Sequence, residues 1–479
     1  MTLLNEAMEK ISSMMWGLPM IILLFGTHVL LTIRLHFPQR YLLKAIRLSF
    51  SKDKGATGEV SQFGALATAL AATIGTGNII GVGTAIALGG PGAVFWCWLT
   101  GVLGIATKYG EGLLAVKYRV NSNGRMLGGP MYAIEHGLAN KATGVSRWFW
   151  KIMAVAFAFF TAVATFGIGS TVQSNTIATL SYEAYAISPI VVGGVVTFLA
   201  TCVIMGGVKS IAKCCQILVP FMAGFYIIGC VVILFINASY VVPAIALIVK
   251  SAFDPSAAGG GFVGASIMIT ARYGIARGLF SNESGLGSAP IIAASAQTKN
   301  PVRQALVSST GTFWDTVVIC AITGITIVSS ILAFPDISMS DGGKLTQMAF
   351  SKIPYIGAPL LFFGSVTFAF STILGWGLYG ERGIEFLANK WICYRRGGLL
   401  LSPEQFDRKL RIVNTIYRAV FLVTVYLGAI VSMDFVWNLA DIFNALMAIP
   451  NLLCLIFLSN IIVKETRRYL WEGNLDEEG

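Results

Sequence analysis

Residues 16–33, 187–205, 217–236 and 358–374 run without one Asp, Glu, Lys or Arg. An apolar stretch of about 17–25 residues spans the hydrocarbon core of a bilayer as a helix. The chain has several such stretches, so the expected fold class is an all-α polytopic membrane protein. Composition agrees, with 12% charged residues against roughly 25% in soluble domains. Glu6 and Glu9 stand where a secretory signal would be basic, so the first span is expected to be retained.

Eleven candidate spans centre near residues 25, 75, 103, 163, 196, 227, 275, 322, 367, 422 and 449. Loop charges test that count. Alternate loops hold Arg34, Arg40, Lys44, Arg47, Lys52 and Lys54; then Lys117, Arg119, Arg125, Lys141, Arg147 and Lys151; then Lys209 and Lys213; then Lys299 and Arg303. Arg382, Lys390, Arg395, Arg396, Arg408, Lys409 and Arg411 fill the next of this set, and Lys464, Arg467 and Arg468 follow the last span. The other loops hold only Lys10, Lys250, Lys344 and Lys352, with acids such as Glu183, Asp254, Asp336, Asp341 and Asp434. Basic loops favour the cytoplasm, which predicts a multi-pass protein of the cell (inner) membrane with its N-terminus outside and its C-terminus cytoplasmic. The net charge of +11 is explained by the same loops, and no basic soluble domain offers a nucleic-acid partner. Membrane lipid is the expected surrounding, with no obligate protein partner evident.

Eight cysteines lie mostly in apolar runs without metal-ligand spacing, and His28, His36 and His136 cluster with nothing. The cysteines read as small reduced hydrophobes. No cofactor is expected, and no catalytic constellation marks an intramembrane enzyme.

The stretch "AATIGTGNIIGVGTAIALGG" (71–90) puts glycines at 75, 77, 81, 83, 89 and 90 inside a span. A dinucleotide turn is excluded, because its G-x-G-x-x-G spacing and following acid are missing. Close helix packing through Gly77-x-x-x-Gly81 accounts for the small residues but not for Thr73, Thr76 and Asn78 beside them. A helix broken at mid-membrane accounts for both, since its freed amides and carbonyls must line a cavity and meet a ligand. The amides of Thr76 and Gly77 at the start of the second half-helix suit a carboxylate, and Asn78 adds a donor.

Inverted-repeat transporters carry a second break in the matching place. "ITARYGIARGLFSNESGLGSAPIIAAS" (269–295) supplies it, about 200 residues on and four spans later, after an apolar lead at 264–269. The arithmetic is one leading helix plus five and five. It divides the chain into 1–57 (first helix and basic loop), 58–237 (first five-helix repeat), 238–463 (second repeat with an extracellular connection) and 464–479 (cytoplasmic tail). Arg272, Arg277, Glu283 and Asp315 are intramembrane charges, functional by default. Arg277 and Glu283 are read as a latch on the inner gate, and Asp315 as pairing with Arg303 or one of these arginines. A channel would repeat identical ligands or charge rings around an axis, and the two breaks are unlike.

"GEVSQFGALATALAATIGTGNIIGVGTAIALGGPGAVFW" (58–96), "GGPMYAIEHGL" (128–138), "ARGLFSNESGLGSAP" (276–290) and "GWGLYGERGIEF" (375–386) resemble the alanine/glycine:cation symporter family, over about residues 59–462. The resemblance implies the fold of the amino acid–polyamine–organocation superfamily and sodium- or proton-coupled uptake of alanine or glycine. It implies that Gly75, Thr76, Gly77 and Asn78 receive the substrate carboxylate, and it favours substrate contact over an interhelical hydrogen bond for Gln173. From the second break, carbonyls over 274–278, between Gly274 and Gly278, are expected to take the ammonium group. Phe280 and Ile275 then limit substrate size, and Trp376 either closes the pocket or merely packs. Superfamily analogy also lays a sodium site on the carbonyls of Ala71 and Ile74 and the hydroxyls of Ser371 and Thr372. The competing role for those hydroxyls is a bond back to their own helix.

Overall fold

The computed structural model describes residues 2–51, 53, 55–122, 124–254, 266–338, 341–395, 403–431 and 434–478. Lys52, Lys54, Arg396 and Gly264, used above for loop charge and for the lead into the second break, lie outside the described residues.

Helices dominate. The first membrane helix, α2 (Leu18–Arg34), follows a short α1 (Thr2–Met15) and precedes α3 (Leu42–Ser49). The first broken helix is α4 (Gln62–Thr73) plus α5 (Val82–Gly89), joined through a π-helical turn at Gly77–Gly81. Next come α6 (Ala93–Lys117), a hairpin of β1 (Val120–Ser122) and β2 (Arg125–Leu127), and α7 (Pro130–Ile134). A long bent rod, α8 (Gly144–Ala164) and α9 (Val172–Tyr185), contains a π segment at Thr165–Thr171. Then follow α10 (Pro189–Ile204), α11 (Gly207–Ile236) and α12 (Ala238–Ser251). The second broken helix is α13 (Ile267–Asn282) and α14 (Pro290–Ala293). α15 (Pro301–Thr312) and α16 (Ala321–Ala333) flank a π segment at Phe313–Cys320. The remainder is α17 (Leu345–Phe350), α18 (Gly357–Arg395), α19 (Pro403–Ile430), α20 (Asp434–Phe457) and α21 (Ser459–Thr466).

Among the described residues seven helices are long and apolar enough to cross a membrane, and an eighth if α4 and α5 count as one span. The expected eleven are not all met by that measure. α10 and α13 have only 16 residues each, and α6 carries the buried charges Lys108 and Glu111. A helix enclosed by its neighbours faces little lipid, so it need not be apolar all round.

Both broken helices start alike. Ser61 accepts a bond from the Gly64 amide at 3.0 Å, and Ser266 accepts one from Ile269 at 3.3 Å. These are side-chain N-caps that satisfy otherwise orphaned amides.

They end differently. α4 stops at Thr73, Ile74 is extended, and the second segment departs at 54°. α13 runs unbroken through Gly274 and Gly278 to Asn282, so those residues expose no carbonyls and the expected break there is wrong. The chain breaks later, where Glu283 is left-handed (φ 53) and Gly285 and Gly287 have φ 94 and 84. Gly274 and Gly278 serve close packing instead. A Cβ on Gly274 would sit 2.7 Å from the Trp96 side chain, and one on Gly278 2.9 Å from the Cys97 carbonyl, both on α6.

Candidate functional site

Around the first break, Asn78 is fully buried and committed to the protein. Its Oδ1 accepts from the Gly75 amide at 2.9 Å, and its Nδ2 donates to the Asp315 carboxylate at 2.8 Å and carbonyl at 3.2 Å. The expected free donor is therefore a brace that closes the break. The first amides of the second segment, Thr76 and Gly77, stand at a helix start, where no carbonyl one turn back is available. Thr73 bonds weakly to the Leu70 carbonyl at 3.5 Å. Gly75 is small for a local reason: a Cβ there would meet the Thr372 hydroxyl at 2.9 Å. A Cβ on Gly77 would lie 3.7 Å from the Phe280 ring, so Phe280 does stand against the break.

Among the described residues Asp315 pairs with no arginine. It accepts from the Ser281 hydroxyl at 2.9 Å and the Thr316 hydroxyl at 2.7 Å besides Asn78. Arg303 is taken by Asp53, at 2.7 and 3.0 Å, and by Asp476 at 2.5 Å. The π segment at Phe313–Cys320 turns Asp315 inward, where it ties the first broken helix, through Asn78, to the second, through Ser281. A buried carboxylate ringed by hydroxyls and an amide can carry a cation or a proton.

The Arg277–Glu283 latch is absent as well. Glu283 accepts from the Trp376 indole at 3.1 Å and from the Ser288 hydroxyl. The carboxylate that Arg277 senses is Asp441 on α20, and the Arg272 guanidinium lies 6.0 Å over the Tyr273 ring. A left-handed turn at Glu283 re-aims its side chain toward α18, away from the helix face carrying Arg277. Trp376 is fully buried, packs edge-on to Tyr379 with centroids 5.7 Å apart, and closes on Gly169 of the π segment in the third core helix. Ile275 is buried at 7% exposure. Gln173 donates to the freed Ile168 carbonyl at 3.1 Å, while its Oε1 is buried without a partner among the described residues.

Ser371 and Thr372 adopt both roles weighed from the sequence. Each hydroxyl bonds back to the Phe368 carbonyl, at 2.9 and 3.0 Å. Ser371 also donates to the Ala71 carbonyl at 3.0 Å, across 300 residues. A carbonyl and two hydroxyls from opposite halves suit a hard cation, which oxygen ligands hold. Ile74 follows directly, as the extended residue that ends α4.

Sequence reasoning missed Glu111. Its Oε1 accepts from the amides of Gly285 at 3.0 Å and Gly287 at 3.1 Å and from Asn451 at 2.7 Å. Lys108 lies 4.0 Å from the other oxygen, and its ammonium has no hydrogen-bond partner among the described residues. The rule that flagged Asp315, a charge inside an apolar span, applies equally to "ATKYGEG" at 106–112 and would have found both. Ser281 and Asn451 carried no comparable signal.

The sodium:alanine symporter family model matches residues 1–478. The chain is 46% identical over 466 residues to the sodium/alanine symporter AgcS of Methanococcus maripaludis, covering 96% of each. It is 47% identical to an uncharacterized transporter of Haemophilus influenzae, covering 97% of this chain and 96% of that one. With the probable sodium/glutamine symporter GlnT of Bacillus subtilis it shares 35% identity, over 96% and 89% of the two chains. In three dimensions it is similar to a sodium-coupled sialic acid symporter in a substrate-bound outward-open state, with TM-score 0.57, 14% identity and coverage of 92% and 86%.

Proposed function

The chain belongs to the sodium:alanine symporter family, and from that membership we propose that it is a secondary active symporter importing alanine, with glycine as a second substrate, on the sodium gradient by alternating access. It is a multi-pass membrane transporter and not an enzyme. The observation that carries the coupling is the Ser371 hydroxyl 3.0 Å from the Ala71 carbonyl. Sodium bound there takes oxygen lone pairs from Ala71, Ile74, Ser371 and Thr372, and Ser371 then turns its proton away from Ala71. The ion ties the first broken helix to α18 of the opposite repeat, and its occupancy is thereby linked to the substrate state.

A bound zwitterion lies with its carboxylate on the Thr76 and Gly77 amides. Its ammonium group turns to the unpartnered Oε1 of Gln173. Phe280 and Trp376 limit the side chain to a hydrogen or a methyl group. The repeats at 58–237 and 238–463 rock about this site, with the basic loops facing the cytoplasm.

Proton coupling of the same uptake is a second reading, favoured by the buried Asp315 carboxylate between the two broken helices. Counterflow of labelled alanine into proteoliposomes, with sodium and pH gradients imposed separately, tests both. Uptake is expected to follow sodium at constant pH. Uptake that ignores sodium and follows only pH would remove the Ser371–Thr372 assignment and leave Asp315 and Glu283 as the residues to substitute.

A further inference from the structure

On the face that carries the basic loops, a cavity of about 570 Å³ opens between the start of α11 and the first half of α19. Arg125, Lys209, Arg382, Arg411 and Arg418 line it, with Glu59, Glu381 and Asp407. The acids already have cationic partners. Arg418 holds Glu381 at 2.7 and 2.8 Å, Arg382 meets Glu59 at 3.1 Å, and Arg125 meets Asp407 at 3.9 Å. Lys209 and Arg411 are exposed and have no ion-pair partner among the described residues. The wall therefore presents two unanswered positive charges.

Three further features define the ligand. α11 is 30 residues long and starts at Gly207 with no side-chain cap, so its first amides open beside Lys209; helix starts of this kind bind phosphate. Asn414, on the wall and only 7% exposed, keeps its side-chain carbonyl unpartnered, which calls for a hydroxyl donor. Met205 on the wall is 49% exposed, and α19 carries exposed Ile412 (51%) and Ile416 (59%), one residue on from Arg411 and Thr415.

We propose that this cavity holds the head group of an anionic phospholipid that bears a hydroxyl. Its phosphodiester lies on Lys209, Arg411 and the α11 amides, its hydroxyl donates to Asn414, and its acyl chains run along Met205, Ile412 and Ile416. The apolar flank selects a lipid over a free phosphate, and basic pockets between helices at the cytoplasmic face bind anionic head groups.

The test is native mass spectrometry of the full-length protein with phosphatidylglycerol, phosphatidylcholine or inorganic phosphate, beside thermal unfolding in each. One phosphatidylglycerol is expected to be retained against excess phosphatidylcholine. Its affinity is expected to fall about 25-fold in Lys209→Gln/Arg411→Gln, as for two surface cations, and to return in Lys209→Arg/Arg411→Lys. Asn414→Leu is expected to lose the preference for phosphatidylglycerol over phosphatidylmethanol, a phosphodiester whose head group has no hydroxyl. Undiminished retention by the double glutamine variant overturns the proposal. So does displacement of the lipid by inorganic phosphate, or an unchanged lipid preference in Asn414→Leu.

Discussion

The two broken helices begin with the same serine cap and break by opposite means. At the first, a neutral amide makes the direct contact, with the Asp315 carboxylate behind it: Asn78 closes the gap to Gly75, and the hydroxyls of Ser371 and Thr372 stand beside Ala71 and Gly75. At the second, a full charge does it, with Glu111 gathering the amides of Gly285 and Gly287 and the Asn451 side chain. The difference separates a break whose first amides are left for a ligand from one whose amides a carboxylate of the protein takes up. The proposed cation near Ala71 would add to the first break, whereas at the second the amides of Gly285 and Gly287 are already held by Glu111. In the proposed symport the first is the element that ligands bias, and the second the frame it moves against.

The contrast is tested most severely at Glu111. Glu111→Ala strands two amides and the Lys108 ammonium, and removing one partner of a buried pair costs about 3–5 kcal/mol. Thermal unfolding in detergent is expected to show that loss, with Glu111→Gln intermediate because it keeps an acceptor. Wild-type stability in the alanine variant would mean that the carboxylate does not frame the second break.

Asn78→Ala comes next. It unties Gly75 and leaves Asp315 short of a donor, a loss of about 1.5–3 kcal/mol. Equilibrium binding of labelled alanine is expected to weaken roughly 10- to 150-fold, although Asn78 need not touch the substrate. Unchanged affinity in a folded variant would show that the brace is dispensable.

Gly278→Ala sharpens the distinction between packing and breaking glycines. Its methyl group meets the α6 backbone, and overpacking of this kind costs about 1–3 kcal/mol. A Cβ on Gly81 meets only the Arg277 side chain at 3.9 Å, so Gly81→Ala is expected to unfold within a degree or two of wild type by the same assay. Equal destabilisation by both substitutions would erase the distinction.

The smallest effect is expected from Ser371→Ala/Thr372→Ala. The sodium concentration giving half-maximal alanine uptake is expected to rise about tenfold, as for a lost bond to a charged group. Maximal substrate occupancy at saturating sodium stays near wild type. A fall in that maximum with unchanged sodium dependence would place the hydroxyls on the substrate side.

Membrane character and the position of the first break were legible in the residues themselves, whereas the pair of hydroxyls before Trp376 was singled out by superfamily analogy. The first two are local signals: a charge-free run, and polar groups set among glycines. The site was legible only in part, because Gly274 and Gly278 read like Gly75 and Gly77 in one dimension. What separates them is the neighbour, the α6 backbone against one pair and the Thr372 hydroxyl and Phe280 ring against the other. Ionisable partners were equally hidden. Asp315 meets Asn78 across 237 residues, and Glu111 meets Gly285 across 174, while the nearer arginines turn elsewhere. By itself the sequence determined that the chain is a helical membrane protein and where one helix cannot continue, since apolarity and backbone freedom belong to each residue. Only the tertiary structure decided which glycine yields, which carboxylate braces and which hydroxyl meets the first broken helix, because a buried polar group takes the partner that packing brings to it.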